Sequence, residues 1–221
     1  MKPPYRMRHA GWAAMALFTL AHAAPAQEPY HGLDAYIAKS LQTLKVPGAA
    51  VAIVRNDSII YAKGFGVLAL GSHTPVTDQT MFEIGSSSKA FTATLVAMMV
   101  SDKKMAYDDL MSQYLPDFKL YDPATSAQVT LRDALVHRTG LARGELLWLD
   151  AGDSREDVLH RVRFLKPDAG FRSRWIYQNI MYLAAGEAAA KAGHTTWEDL
   201  VQQRIFTPLG MTSTAPLYRL L

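Results

Sequence analysis

A chain of 221 residues with 49% hydrophobic and 19% charged side chains has room for one domain with a substantial core. It has no cysteine, which excludes disulfides, thiolate metal sites and a lipidated cysteine anchor. The formal charge of +3 traces to residues 1–26, where Lys2, Arg6 and Arg8 stand without an acidic partner. The remainder balances 20 basic against 20 acidic groups and holds no basic run, so no nucleic acid partner is expected.

Met1 to His9 is basic, Ala10 to Ala23 is apolar, and Ala21-His22-Ala23 or Ala24-Pro25-Ala26 offers a small-residue exit. This is the pattern of a secretory signal peptide over residues 1–26. Its apolar part is shorter than the roughly 20 residues that span a bilayer. Residues 27–221 then read as one periplasmic or secreted domain with no stable membrane anchor in its mature form. Cleavage is expected after Ala23 or Ala26; a mass spectrum of exported protein still carrying Met1 would refute it.

Leu33 to Leu44 places Leu33, Tyr36, Ile37, Leu41 and Leu44 at helical spacing, with Pro47-Gly48 as the stop. Ala49–Val54 and Ser58–Phe65 are β-branched runs joined by Arg55-Asn56-Asp57, which reads as a hairpin. Gly71–Asp78 is loop. Ser86–Val100 is apolar nearly all round and predicts a deeply buried helix. Thr130, with Asp133 reaching back, caps another helix that His137-Arg138-Thr139-Gly140 ends. Asp153–Leu165, Asn179–Ala192 and Trp197–Ile205 predict three more helices before Thr207-Pro208-Leu209-Gly210. A single apolar hairpin followed only by helices leaves strand edges that call for partners.

Several chemistries drop out. The seven histidines are scattered and no H-E-x-x-H occurs, so no metal is expected. There is no G-x-S-x-G. Gly64-Phe65-Gly66-Val67-Leu68-Ala69 matches a dinucleotide fingerprint on paper but leads into a loop, where that site needs a helix. No cofactor is expected.

Two S-x-x-K copies remain. Ser101-Asp102-Lys103-Lys104 lies in a polar stretch where both lysines stay solvated. Ser86-Ser87-Ser88-Lys89 follows Gly85 at the start of the apolar helix, so Ser86 and Lys89 share a face. The helix N-terminus favours developing negative charge, and an ammonium drawn into an apolar element is costly without a task. The ordinary alternative is an N-cap serine beside a snorkelling lysine. Tyr177-Gln178-Asn179 is the one Y-x-N in the chain. Its ordinary reading is a core aromatic before a helix that Asn179 caps. In a shared site, a phenol beside a lysine ammonium becomes a usable base for a serine hydroxyl.

Phe82-Glu83-Ile84-Gly85-Ser86-Ser87-Ser88-Lys89-Ala90-Phe91-Thr92, His137-Arg138-Thr139-Gly140-Leu141, Tyr177-Gln178-Asn179 and Pro208-Leu209-Gly210-Met211 occur in this order. From about Leu33 to Thr214 the chain resembles the class C β-lactamase-like serine hydrolases, which include penicillin-recognising D,D-peptidases and related esterases. The resemblance implies an α+β, β-lactamase/transpeptidase-like fold: an antiparallel sheet flanked by helices, with an all-helical lobe inserted. It implies Ser86 as acylated nucleophile, Lys89 as the lysine that keeps the site electropositive and shares its proton, and Tyr177 as general base. Asn179 would be a hydrogen-bond donor to Lys89 and to a substrate amide, and His137–Gly140 would be a structural helix end. The partner would be a small-molecule or peptide substrate: a β-lactam, a D-Ala-D-Ala-like peptide or an ester. The alternative is a non-catalytic remnant that binds peptidoglycan-like ligands.

One part departs from the family pattern. No K-T-G or suitable H-x-G follows Asn179. The strand that would carry it, and with it a second oxyanion-hole N–H, is expected to lie beyond these residues. The chain therefore reads as the front part of a longer protein, impaired in turnover when alone.

Overall fold

The computed structural model describes residues 30–147 and 154–216, so the predicted signal segment lies outside the described residues. The chain divides between Thr80 and Met81 into two compact units. Among the described residues no helix is long and apolar enough to cross a membrane.

The first unit holds α1 (Leu33–Leu44), β1 (Gly48–Arg55) and β2 (Ser58–Gly66). Lys45 ends α1 by turning left-handed at φ 55°, three residues before the strand begins. The strands pair antiparallel from Gly48 opposite Gly66 to Arg55 opposite Ser58, with an irregularity between Ile53 and Val54. Asn56 and Asp57 both take positive φ, 49° and 58°. That pair makes a two-residue turn of the primed kind, whose twist matches the strands it joins. α1 is tied to β2 through Asp34, which accepts from the Tyr61 hydroxyl at 2.6 Å and from the Lys63 ammonium. Among the described residues the sheet has two strands. Gly64 and Gly66 lie on β2 and lead into a bridge between Val67 and Pro75, so no helix follows them.

The second unit is helical. Its elements are α2 (Ser88–Ser101), α3 (Met111–Tyr114), α4 (Pro123–Gln128), α5 (Leu131–Leu135), α6 (Arg155–Arg161), α7 (Asn179–Gly193) and α8 (Trp197–Val201). α7 runs through the middle, against α2, α3, α5, α6 and α8. Its Ala184, Ala185, Ala188 and Ala189 are fully buried, and such small side chains let neighbours approach from several sides. Gly186 receives the Trp197 ring at a distance that a Cβ would crowd to 3.1 Å. Leu95, Val96 and Met99 of α2, Ile180 and Met181 of α7, and Ile205 and Phe206 beyond α8 complete the centre of the core.

Three predicted helices need correction. The one expected over Ser86–Val100 opens with a 3-10 turn at Gly85–Ser87 and is not buried all round. Thr92, Leu95, Val96 and Met99 form one buried stripe, while Ala90 and Thr94 face outward. Alanine and threonine lose little by staying wet, so an apolar run can have a solvent side. α6 starts after a Ser154–Asp157 capping box and passes into a 3-10 turn at Val162–Phe164; Asp153 lies outside the described residues. α8 ends at Val201 and opens into a π-turn over Gln202–Phe206.

The Thr130–Asp133 capping box forms as the spacing predicts, and it carries more than a helix start. The Asp133 carboxylate is 6% exposed and accepts from the Thr130 backbone and hydroxyl at 3.1 and 2.8 Å. It also takes a two-pronged bond from the Arg172 guanidinium, at 2.8 and 2.7 Å. Burial alone would raise this carboxyl, but Arg172 and Thr130 outweigh it and hold it below its usual value. Removing the carboxylate leaves the cap donors and Arg172 without their acceptor. Asp133→Ala should destabilise the chain by about 3 kcal/mol, measured by urea unfolding. Because the folded-state pKa is depressed, Asp133's contribution is present above the ordinary carboxylate range. It is lost as pH falls through the lowered value, so the variant should show a flatter acid limb of stability.

Candidate active site

Two segments far apart in sequence lie side by side in the second unit. His137 leaves α5 with φ 60°, and Gly140 turns again at φ 78°. The Gly140 carbonyl accepts from the N–H groups of Asp168 and Ala169, at 3.0 and 3.2 Å. A Cβ on Gly140 would sit 2.3 Å from the Ala169 carbonyl oxygen, so this close approach requires glycine. Further along, Arg172 N–H donates to the Arg138 carbonyl at 2.8 Å, and Ile176 N–H to the His137 carbonyl at 3.0 Å. The strap 167–176 is thereby fixed to the His137–Leu141 turn and delivers Tyr177 to the N-terminal end of α2.

There the four predicted residues meet. The Tyr177 hydroxyl donates to Ser86 Oγ, and Lys89 Nζ donates to the same oxygen at 3.1 Å. Lys89 Nζ also donates to Asn179 Oδ1 at 2.5 Å, so toward Lys89 Asn179 accepts and does not donate as expected, since an ammonium has no lone pair to offer. It lies 4.6 Å from the centre of the Tyr177 ring and 5.6 Å from that of Tyr182, against the electron-rich faces of both. Hydrogen bonding to Lys89, then to Ser86, lowers the Tyr177 pKa below the ordinary phenol value; the charges of Lys89 and Arg143 add to this. Arg143 stands 5.4 Å over the Tyr177 ring while bonded to Glu145. The second S-x-x-K does not form such a pair. Ser101 is the last residue of α2, Asp102 caps it, and Lys103 leaves it at φ 60°.

The Beta-lactamase family model matches residues 33–215. The chain belongs to that family. It is 33% identical over 185 residues to the unguisins hydrolase of Aspergillus violaceofuscus, an alignment covering 80% of this chain and 32% of that protein. It is 31% identical over 176 residues to penicillin-binding protein 4 of Amycolatopsis lactamdurans, covering 78% of this chain and 45% of that one. Among solved structures, the octameric penicillin-binding protein homologue of Pyrococcus abyssi matches at TM-score 0.73 and 26% identity, over 81% of this chain and 43% of that one. A class C β-lactamase in complex with cefoxitin matches at TM-score 0.69 and 27% identity, over 82% and 49%. The α+β, β-lactamase/transpeptidase-like fold expected from the motifs is the fold of these neighbours. The chain spans about a third of the length of the unguisins hydrolases and less than half of that of penicillin-binding protein 4.

In this member of the family the sequence motifs conceal three further residues of the site. Gln178, wholly buried, caps α7 by accepting from Ile180 N–H at 3.2 Å and donates to the Ala142 carbonyl at 2.5 Å. Asn179 is therefore not the cap, and its amide is left to Lys89. The His137 ring lies 4.9 Å from that of Tyr177 and 5.1 Å from that of Tyr182. Its Nδ1 accepts from Gln178 N–H at 3.1 Å. Burial, then the Lys89 charge, pushes the His137 pKa down, which leaves the ring neutral at neutral pH. Tyr182 donates to the Leu135 carbonyl at 2.9 Å and closes the group. Only the His-Arg-Thr-Gly run marked any of this in the sequence.

A cavity of about 230 Å³ borders Lys89 and Asn179, with Arg155, Glu187 and Trp197 in its wall. Arg155 bonds Glu187 at 2.9 Å and also reaches Glu198, tying α6 to α7 and α8. Among the described residues no group of three His, Cys, Asp or Glu stands close enough to hold a metal ion.

Proposed function

We propose that this chain carries the nucleophile and base of an exported serine hydrolase that works through an acyl-enzyme. Its substrates would be β-lactams, D-Ala-D-Ala-like peptides or esters. The observation that carries this reading is Ser86 Oγ held between the Tyr177 hydroxyl and the Lys89 ammonium. In the resting contact the phenol donates to the serine. When Tyr177 ionises, which its lowered pKa favours, the contact reverses and the Ser86 hydroxyl donates to the phenolate. Oγ then attacks the substrate carbonyl carbon as its proton passes to Tyr177. The tyrosine gives that proton to the departing amine or alcohol as the C–N or C–O bond breaks. Water, deprotonated in turn by Tyr177, adds to the ester carbonyl carbon; the C–Oγ bond then breaks, and Ser86 Oγ takes the proton back from Tyr177 as the carboxylic acid leaves. The Lys89 ammonium stabilises both the phenolate and the developing oxyanion. Asn179 fixes the ammonium through its Oδ1 and keeps its amide N–H₂ for a substrate carbonyl.

Kinship with a penicillin-binding protein, an unguisins hydrolase and a class C β-lactamase supports the hydrolase class and leaves the acyl donor open among these substrates. The test is covalent labelling of the full chain with a fluorescent penicillin and, separately, with a fluorophosphonate. One adduct mapped to Ser86 by peptide mass spectrometry is the expected result. An adduct on Ser87, Ser88 or Ser101 overturns the assignment. No adduct with either probe, from a folded chain, would leave the ligand-binding alternative.

A further inference from the structure

We infer that His137 is a positioning residue, whose neutral imidazole clamps the backbone on both sides of Tyr177 and so sets the phenol against Ser86. The inference rests on the hydrolase reading for its catalytic consequence, but the clamp itself is geometric. His137 takes up the N–H before Tyr177 through its own carbonyl, from Ile176 at 3.0 Å. It takes up the N–H after Tyr177 through its ring, from Gln178 to Nδ1 at 3.1 Å. The same ring packs against the Tyr177 ring, and the edge of Trp175 closes it from another side at 5.6 Å. One residue thus holds the N–H groups of the two residues that flank the base and the face of the base itself.

The clamp works in one protonation state. An Nδ1 that accepts a backbone N–H cannot carry a proton, so the neutral ring holds its proton on Nε2. A proton on Nδ1 would set two N–H groups against each other and leave the wholly buried Gln178 N–H without an acceptor. The titratable groups that face the ring are Tyr177, Tyr182 and the Lys89 ammonium, and the last opposes a second positive charge. His137 stands at φ 60°, in the left-handed region that few non-glycine residues adopt, histidine, asparagine and aspartate more often than the rest.

That backbone angle also selects the test variants. His137→Gly removes the ring without adding strain, since glycine is at ease there. His137→Asn tolerates the same angle, and its Oδ1 can replace Nδ1 as acceptor. Displacing a reacting group by about 1 Å can cost about 100-fold, so His137→Gly should slow acylation of Ser86 by about that factor at unchanged probe affinity. His137→Asn should recover most of the rate. A residue that merely stabilised the fold would lower the melting temperature in both variants and leave the rate constant of the folded fraction unchanged. Acylation by His137→Gly within about threefold of the wild type, or His137→Asn as slow as His137→Gly, would overturn the proposal. An activity-independent arm uses ¹⁵N-histidine and ¹³C-tyrosine NMR of the full chain. His137 should show the Nε2–H tautomer, and the Tyr177 ring signals should move in His137→Gly and return in His137→Asn. An Nδ1–H tautomer refutes the clamp outright. If the wild type takes up no acyl probe at all, the hydrolase reading fails, and the NMR arm alone decides whether His137 holds Tyr177.

Discussion

Ser86→Ala is expected to abolish covalent labelling and to cut any turnover by roughly four to six orders of magnitude, while Ser101→Ala leaves both unchanged. The two serines share the same S-x-x-K spacing, and the fold separates them. Ser86 sits in the 3-10 turn that opens the α2 segment, with Lys89 one turn on and 3.1 Å away. Ser101 closes α2 at its other end, where the chain turns left-handed at Lys103 before Lys104 is reached. A serine and lysine three apart face each other only where the helix continues between them. Alanine at Ser86 removes the attacking oxygen and also the acceptor shared by Tyr177 and Lys89, so no neighbouring group can take over. Alanine at Ser101 removes an exposed hydroxyl from a helix end. Intact-mass measurement after exposure to each probe reads the result directly. An adduct on Ser86→Ala of the same stoichiometry as on the wild type would refute the assignment.

Local features were legible because their causes are local. The Thr130–Asp133 cap, the Asn56-Asp57 turn and the end points of α1 follow from residues within a few positions of one another. The four-residue α3 and six-residue α4 were not legible, since neither is long enough to display a period. α4 nonetheless announces itself in hindsight by Asp122 before Pro123, with the Asp122 side chain accepting from the Ala124 and Thr125 N–H groups. The burial of α2 was overestimated because an apolar run records what a helix can bury, not how many neighbours it meets. For the site, spacing was enough to pair Ser86 with Lys89. Tyr177 is 91 positions from Ser86, and motif resemblance linked them before any geometry did. What no local pattern disclosed was the support behind the tyrosine. The bond between Gln178 and His137 spans 41 positions and depends on the strap folding back along the α5 turn.

Tyr177→Phe should lower the rate of Ser86 acylation by about 10²–10⁴-fold with little effect on stability. The phenol oxygen meets Ser86 Oγ and the Lys89 ammonium, and the ring is only partly buried, so phenylalanine keeps the packing against His137. The pH dependence identifies what was lost. A general base acts when deprotonated, so wild-type acylation should rise with pH through the Tyr177 pKa and level off above it. That rise should lie below the ordinary phenol range, because hydrogen bonding to Lys89 and Ser86 and the charges of Lys89 and Arg143 all favour the phenolate. Tyr177→Phe should lose the rise, leaving a slow and flat profile across the same window. Arg143→Ala offers a graded check, since it removes one of the two cations beside the ring without touching Ser86. Its alkaline rise should move to higher pH, toward the unperturbed phenol, with the plateau nearly kept. If Tyr177→Phe kept the wild-type rise, the base would have to be another group, and Tyr177 would be reduced to a hydrogen-bond donor that orients the serine. If Arg143→Ala moved the rise to lower pH, the electrostatic account of the phenol would have the wrong sign.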